Sequence, residues 1–544
     1  MGRTEELEAC AADVAPDAPP GDGSAPRPSK PSTVWWLVAV IALVSAFAVS
    51  ITSPRFDIET PSLVDDWAAI TRSDDQLHEI VRGSNPEEQR FRPGWILWNY
   101  LQWHTFDAPY GLVGPNAWNV VRILVLVAGL TLLTALALPP PRTRLEAALH
   151  AAIAGLPAFL VVSAPKLAVD LTRFGPQEPL LVGAMALGGA LLVLGARRVL
   201  DSRANQLVGG IALLACGSAL WALGVYQKEV SLAVLPVVAV ALFAGRARLS
   251  GWRELSTTRR IVLAAFAVLA LLPLVHVAIE SALIAARGDL VYDAEIDGGG
   301  SAWAGVQMLW DWAHEALPWA GRAVAVAAVA LTALVLVIRR RIDLVAVGVL
   351  ASAALAFLMA GQSGVLATRY YIPTYALFAV ALAIALVRFP PVIQLAGVLL
   401  VVFAFMPPTE ARNEVKRWAT DERLDGDFVR AVAERVSAGC VVASAGLDVE
   451  PGQAFPVLMA IEGDATPPCP VGGTYFVLGP LEGWRALAGA CADGELQKDL
   501  DNRDVADLYW CERLGSTPVR DPRFGLVEPS ELIELRRLRP DLSA

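Results

Sequence analysis

Two adjacent carboxylates, Asp65 and Asp66, stand in Val64-Asp65-Asp66-Trp67, shortly after the first long apolar run of the chain. Farther along the same polar stretch, Arg90-Phe91-Arg92-Pro93-Gly94-Trp95 sets two cations ahead of a proline and an aromatic segment. A carboxylate can take the proton of an attacking hydroxyl, whose own pKa lies far above neutrality. Guanidinium groups hold phosphate through charge-assisted hydrogen bonds. Together these groups suit the displacement of a phosphate leaving group, which scarcely needs a general acid. Base catalysis supplies roughly 10²–10⁴-fold, and positioning and charge stabilisation supply the rest. Adjacent side chains on a helix diverge by about 100°, so one of Asp65 and Asp66 would face a cavity while the other caps, orients or meets the acceptor.

Other residues extend this set. Lys228 and Glu229 fill a short turn between two apolar runs, where they either mark the water interface or act on a ligand. Arg369 precedes Tyr370 in Thr368-Arg369-Tyr370-Tyr371-Ile372-Pro373, and both a helix start and a guanidinium favour phosphate. Arg173, followed by Gln177 and Glu178, is a weaker candidate of the same kind. Arg90, Arg92, Lys228 and Arg369 are therefore the phosphate-side candidates. His276 and Glu280 share a helical face at i, i+4 within an apolar run. Ionisable residues at membrane depth usually face a bundle interior, so this pair either bonds internally or lines a cavity. Asp293, Asp311, His314 and Glu315 show no metal-ligand spacing. No metal site or cofactor is assigned, and a divalent cation is left open. Trp95, Trp98 and Trp103, near helical spacing, read as an interfacial aromatic belt.

The elements that must carry these residues are membrane spans. The 544-residue chain is 55% hydrophobic, with a mean hydropathy of +0.49, too apolar for a soluble protein of this size. Apolar blocks long enough for a hydrocarbon core of about 30 Å fall at 34–52, 119–138, 145–164, 179–196, 206–226, 230–245, 261–284, 323–338, 344–360, 373–387 and 392–406. Arginine clusters lie in alternate loops: Arg142 and Arg144; Arg197, Arg198 and Arg203; Arg246 to Arg260; Arg339 to Arg341; Arg388. The positive-inside rule then puts the N-terminus in the cytoplasm. The long first loop, 53–118, and the C-terminal part lie outside. Residues 1–32, rich in Pro, Ala, Gly and acids without apolar period, read as a disordered cytoplasmic tail. The net charge of −10 shows no basic face for nucleic acid.

The pattern becomes water-soluble from 409 to 544, and a small extracytoplasmic α/β domain is expected there. Its strands are predicted at Cys440–Ser444, Thr474–Leu478 and Leu508–Glu512, and its helices at Asp421–Ser437 and Gln453–Ile461. Cys440, Cys469, Cys491 and Cys511 are even in number on the oxidising side, which allows one or two disulfides with the pairing open.

The acidic pair, the Arg92-Pro93 turn, Lys228-Glu229 and Arg369-Tyr370, in this order across residues 33–408, resemble the GT-C superfamily of integral-membrane glycosyltransferases. That group includes protein O-mannosyltransferase, aminoarabinose transferase and arabinosyltransferase relatives. The resemblance implies inverting transfer from a polyprenyl-phosphate sugar to a glycan, lipid or protein acceptor. It would occur at the outer face of a bacterial plasma membrane, with an acidic general base. Two motifs depart from the usual form: Arg92 follows Arg90-Phe91, and the C-terminal domain matches no carbohydrate-binding module. The rival expectations are a flippase or transporter of lipid-linked saccharides, a polysaccharide polymerase, and a non-catalytic envelope scaffold.

Overall fold

Every apolar block becomes helix, because a backbone out of water must satisfy its own hydrogen bonds. The computed structural model describes residues 34–57, 77–78, 92–105, 113–173, 177–200, 205–246, 255–287, 319–340, 342–361, 368–405 and 409–420, together with four strand segments. In chain order the helices are α1 (Val34–Thr52), α2 (Pro93–His104), α3 (Val113–Ala137), α4 (Arg144–Ser163), α5 (Pro165–Thr172), α6 (Glu178–Leu200) and α7 (Asn205–Val225). They continue with α8 (Leu235–Arg246), α9 (Thr257–Arg287), α10 (Trp319–Arg339), α11 (Leu344–Gly361), α12 (Ile372–Leu386), α13 (Pro391–Phe405) and α14 (409–420). Short 3-10 turns at Ser53–Asp57, Glu229–Val234 and Thr368–Tyr371 follow α1 or lead into α8 and α12.

Among the described residues, nine helical stretches are long and apolar enough to cross a membrane, and Glu229–Phe243 and Leu344–Ala360 are shorter apolar helices. All eleven predicted blocks are thus helical, and the chain is a polytopic helical membrane protein. The core lies where α3, α4, α6 and α12 meet, through Leu126, Leu130, Val161, Leu181, Met185, Tyr375 and Ala379. Helix α12 is buried along nearly its whole length, as expected of a helix that is apolar all round. By contrast α9 and α13 leave Val268, Leu272, Leu400 and Phe403 exposed, the surface a lipid-facing helix presents.

The antiparallel pair α6 and α7 is the most intimate helix contact among the described residues, and glycine explains it. Gly188 and Gly195 recur at seven residues on α6, and Gly210, Gly217 and Gly224 do so on α7. A Cβ at Gly188 would lie 2.5 Å from the Trp221 backbone nitrogen, and one at Gly217 2.9 Å from that of Leu192. In lipid, where burial of apolar surface does not drive helices together, such backbone proximity supplies the packing. The hairpin also brings the start of α6 to the end of α7, and so Glu178 to Lys228. Gly188→Leu must push the helices apart, and a loss of about 1–3 kcal/mol or more is expected on unfolding in detergent. An unchanged melting midpoint would contradict this packing account.

Helix α2 starts at Pro93, which has no N–H to leave unsatisfied. It docks on the end of α7 through Gly94: the Gly94 N–H donates to the Tyr226 carbonyl at 3.0 Å, and a Cβ would lie 2.7 Å from the Leu223 carbonyl oxygen. The Arg92-Pro93-Gly94 turn is therefore a bracket that fixes Arg92 against the rim. On this helix Trp98 is buried against Trp118, Leu180 and Ala184. The expected aromatic belt is thus partly an anchor into the bundle.

The C-terminal strands are β1 (Cys440–Ser444), β2 (Thr474–Gly479), β3 (Gln497–Asn502) and β4 (Ala506–Glu512). They form one sheet in the order β1-β2-β4-β3, with β1 and β2 parallel and the other pairs antiparallel. Three strands stand where the sequence predicts them. Strand β3, mostly polar, gave no strand pattern. Cys440 and Cys511 both register with Tyr475, from its two sides. Two interstrand spacings, roughly 9–10 Å, separate them, which exceeds the Cα separation a disulfide spans. A Cys440–Cys511 bridge is therefore excluded. The other two cysteines of that domain, the predicted helices there and the 1–32 tail lie outside the described residues.

Candidate functional site

Segments far apart in sequence converge on the end of the bundle where α6 begins and α7 ends. Lys228, extended between α7 and the 229–234 turn, places Nζ 2.7 Å from Glu178 Oε1 and 3.3 Å from the centroid of the Tyr370 ring. Arg369 approaches the same ring, with Cζ 5.2 Å from its centroid. Tyr370 is thus shared by two cations, an arrangement favoured by the negative face of its ring. Burial holds the Lys228 ammonium down at about 8; Glu178 opposes that shift and Arg92 adds to it.

Arg92 caps α2 and sets Nε 3.7 Å from Glu229 Oε1. With the Gln177 amide turned so that its nitrogen donates to the Gln227 carbonyl at 2.6 Å, its oxygen accepts from Arg92 Nη1 at 3.2 Å. Arg173 Nη1 lies 3.8 Å from Asp170 Oδ1 on α5. The end of α5 is held from below by α3. Arg122 Nη2 donates to the Leu171 and Arg173 carbonyls at 2.6 and 2.5 Å, and Asn119 Nδ2 donates to the Thr172 carbonyl at 2.8 Å. These side chains satisfy carbonyls that a helix end leaves open. Helix α14 packs Ala411 and Val415 on Ile51 and Ala168, and Trp418 lies 5.8 Å from Arg55 Cζ and 5.9 Å from Arg173 Cζ.

Of the residues predicted from sequence, the structure brings together Arg92, Arg173, Lys228, Glu229, Arg369 and Tyr370. Asp65, Asp66 and Arg90 lie outside the described residues. His276 and Glu280 do face each other, at 3.8 Å, and Tyr226 Oη lies 3.1 Å from His276 Nδ1. Their side chains are 45% and 30% exposed, so they sit at the bundle surface rather than in its interior. Tyr226, two residues before Lys228, joins them to the rim. Among the described residues no three His, Cys, Asp or Glu side chains gather for a metal.

Asp170 was not legible as a site residue. It is 6% exposed, and burial raises its carboxyl to about 7, with Arg173 opposing that shift and Glu178 adding to it. The only available signal was its i, i+3 spacing to Arg173. A folded-state value above the ordinary one of about 4 has a definite consequence. Between about pH 4 and 7 the folded form holds a proton that the unfolded chain has lost, so stability falls as pH rises through that window and levels off above it. Asp170→Asn should remove this slope: its melting midpoint should gain on wild type between those limits. A difference that does not vary with pH would contradict the burial of an ionisable Asp170.

The described rim carries the cations Arg55, Arg92, Arg122, Arg173, Lys228 and Arg369 against the acids Asp170, Glu178 and Glu229. Guanidinium and ammonium groups gathered in this way are suited to a phosphate group. Neither protein-family models nor curated proteins give a match to this chain.

Proposed function

We propose that the protein is a membrane glycosyltransferase that moves a sugar from a polyprenyl-phosphate donor to an envelope glycan, lipid or protein. The observation that supports it most is the meeting of Arg92, Lys228 and Arg369, from three distant segments, at one rim of a helical membrane body. In this reading the polyprenyl chain lies along the apolar helices and its phosphate meets these cations. The acceptor hydroxyl oxygen attacks the anomeric carbon, and the bond from that carbon to the phosphate oxygen breaks. The phosphate leaves with the bonding pair, and the hydroxyl proton passes to Asp65 or Asp66. The products are an inverted glycoside and polyprenyl phosphate. The rim belongs to the outer face of a bacterial plasma membrane, the side opposite the arginine-rich loops.

Proteoliposomes loaded with polyprenyl-phosphate sugars test this reading. Release of polyprenyl phosphate coupled to a new glycoside supports it. Movement of intact donor across the bilayer without turnover would replace it with a transporter. Arg369→Ala should raise the donor KM by roughly 10-fold or more, as loss of a charge-assisted contact does, and leave the acceptor KM in place. An unchanged donor KM would remove Arg369 from the phosphate site.

A further inference from the structure

One component of the rim comes from chain that follows the last span. Helix α14 stands in the sequence between α13 and the C-terminal strands, the first of which begins at Cys440. Its apolar positions, Ala411, Val415, Trp418 and Ala419, recur at helical spacing on one face. Ala411, Val415 and Ala419 are buried, the first two against Ile51 near the end of α1 and Ala168 on α5. Glu410, Arg412, Lys416 and Arg417 are exposed. The helix therefore lies across α1 and α5, and its last turn carries Trp418 to where both present a guanidinium. The Trp418 ring centroid is 5.8 Å from Arg55 Cζ and 5.9 Å from Arg173 Cζ.

Arg55 is buried, whereas the Arg173 side chain is 18% exposed and can meet a solute. Two cations drawn to one place repel each other, more strongly in a partly dry site than in water. The negative face of an aromatic ring offsets that repulsion. The rim uses this device twice, since Tyr370 is shared in the same way by Lys228 and Arg369. Arg173 belongs with that second group as well. Helix α5 packs on the 368–371 turn, and the Asp170 carboxyl feels the charges of both Arg173 and Arg369.

We infer that Trp418 is a positioning residue of the rim, through which α14 holds the Arg173 guanidinium where a lipid-linked phosphate meets it. The phosphate in that statement rests on the proposed glycosyltransferase reading. The rim then draws on the segment that leads to the C-terminal strands, and not on the spans and their loops alone. A tryptophan at a membrane surface can also serve only as an interfacial anchor, and the test separates the two roles.

The full-length protein in nanodiscs is titrated with farnesyl phosphate, a short soluble prenyl phosphate, and binding is read by calorimetry. Trp418→Leu and Trp418→Met, which both lack an aromatic face, should weaken binding roughly 3–10-fold, and Trp418→Phe should stay within about twofold of wild type. In an Arg173→Leu background, Trp418→Leu should add nothing, because the two residues act as one unit. In turnover, Trp418→Leu should raise the donor KM by a similar factor and leave kcat in place. The inference is overturned if Trp418→Leu and Trp418→Met bind as wild type does, or if Trp418→Leu weakens binding equally with and without Arg173. A lowered melting midpoint with unchanged binding would likewise overturn it and make Trp418 an anchor only. The predicted binding pattern without any sugar transfer would uphold the inference and remove the transferase reading. Sugar transfer with a wild-type donor KM in Trp418→Leu would do the reverse. A wild type that binds no farnesyl phosphate would overturn the inference together with the phosphate rim.

Discussion

Lys228→Met is expected to be the most damaging single change at the rim, costing about 3–5 kcal/mol of stability and abolishing donor binding. The reason is what it leaves behind. Glu178 is 2% exposed, and Lys228 Nζ, at 2.7 Å, is the hydrogen-bonded cation that compensates it, with Arg369 adding a more distant charge. Removing the ammonium takes the hydrogen-bonded cation from a buried carboxylate, and Tyr370 loses the nearer of its two cations. The double variant Glu178→Gln/Lys228→Met should recover most of the stability, since replacing both members of a buried pair is often near neutral. It should not recover donor binding, because the proposed phosphate site would still lack its ammonium. Detergent melting curves read the first effect and donor KM the second. Equal destabilisation in the single and double variants would show that the pair is not what holds α6 to the end of α7.

The Asp65→Asn/Asp66→Asn double variant is expected to lower turnover by roughly 10²–10⁴-fold, the usual contribution of a general base. Stability and donor KM should change little, because an amide keeps the shape of a carboxylate and the cations proposed to hold the donor are untouched. If one carboxylate is the base, one single variant should carry the whole loss and the other little of it. Turnover at wild-type level in both singles and in the double would remove the acidic pair from the mechanism.

Much of this architecture was open to a reader of the sequence, for one reason: a span is a local property. Twenty consecutive apolar residues cross a bilayer whatever their neighbours do, and all eleven predicted blocks are helices. Arg92, Lys228 and Arg369 could be selected because few cations stand at the span ends opposite the arginine-rich loops. Their meeting around Tyr370 could not be read, since Lys228 and Glu178 are 50 residues apart and pair only because α6 and α7 fold back on each other. The glycines that set that hairpin look in sequence like any small apolar residue. Gly94 likewise read as part of a turn, whereas its lack of a Cβ lets α2 dock on the Tyr226 carbonyl. Asp170 sits on an eight-residue helix in the connection between two apolar spans, and nothing in its type distinguishes it from a solvated loop acid. Strand β3, with Gln497, Lys498, Asp499, Asp501 and Asn502, takes its place by pairing with β4, not by any apolar alternation of its own.

The central claim is that the cations of one rim hold a lipid-linked phosphate while a carboxylate drives sugar transfer. The most direct measurement is the envelope glycan and glycoprotein profile of cells lacking this protein. The strain would be complemented either with wild type or with an equally abundant Asp65→Asn/Asp66→Asn protein. Loss of one defined glycosidic linkage, restored by wild type and not by the variant, is the predicted result. Restoration by both proteins, or a profile that does not change on deletion, would contradict it.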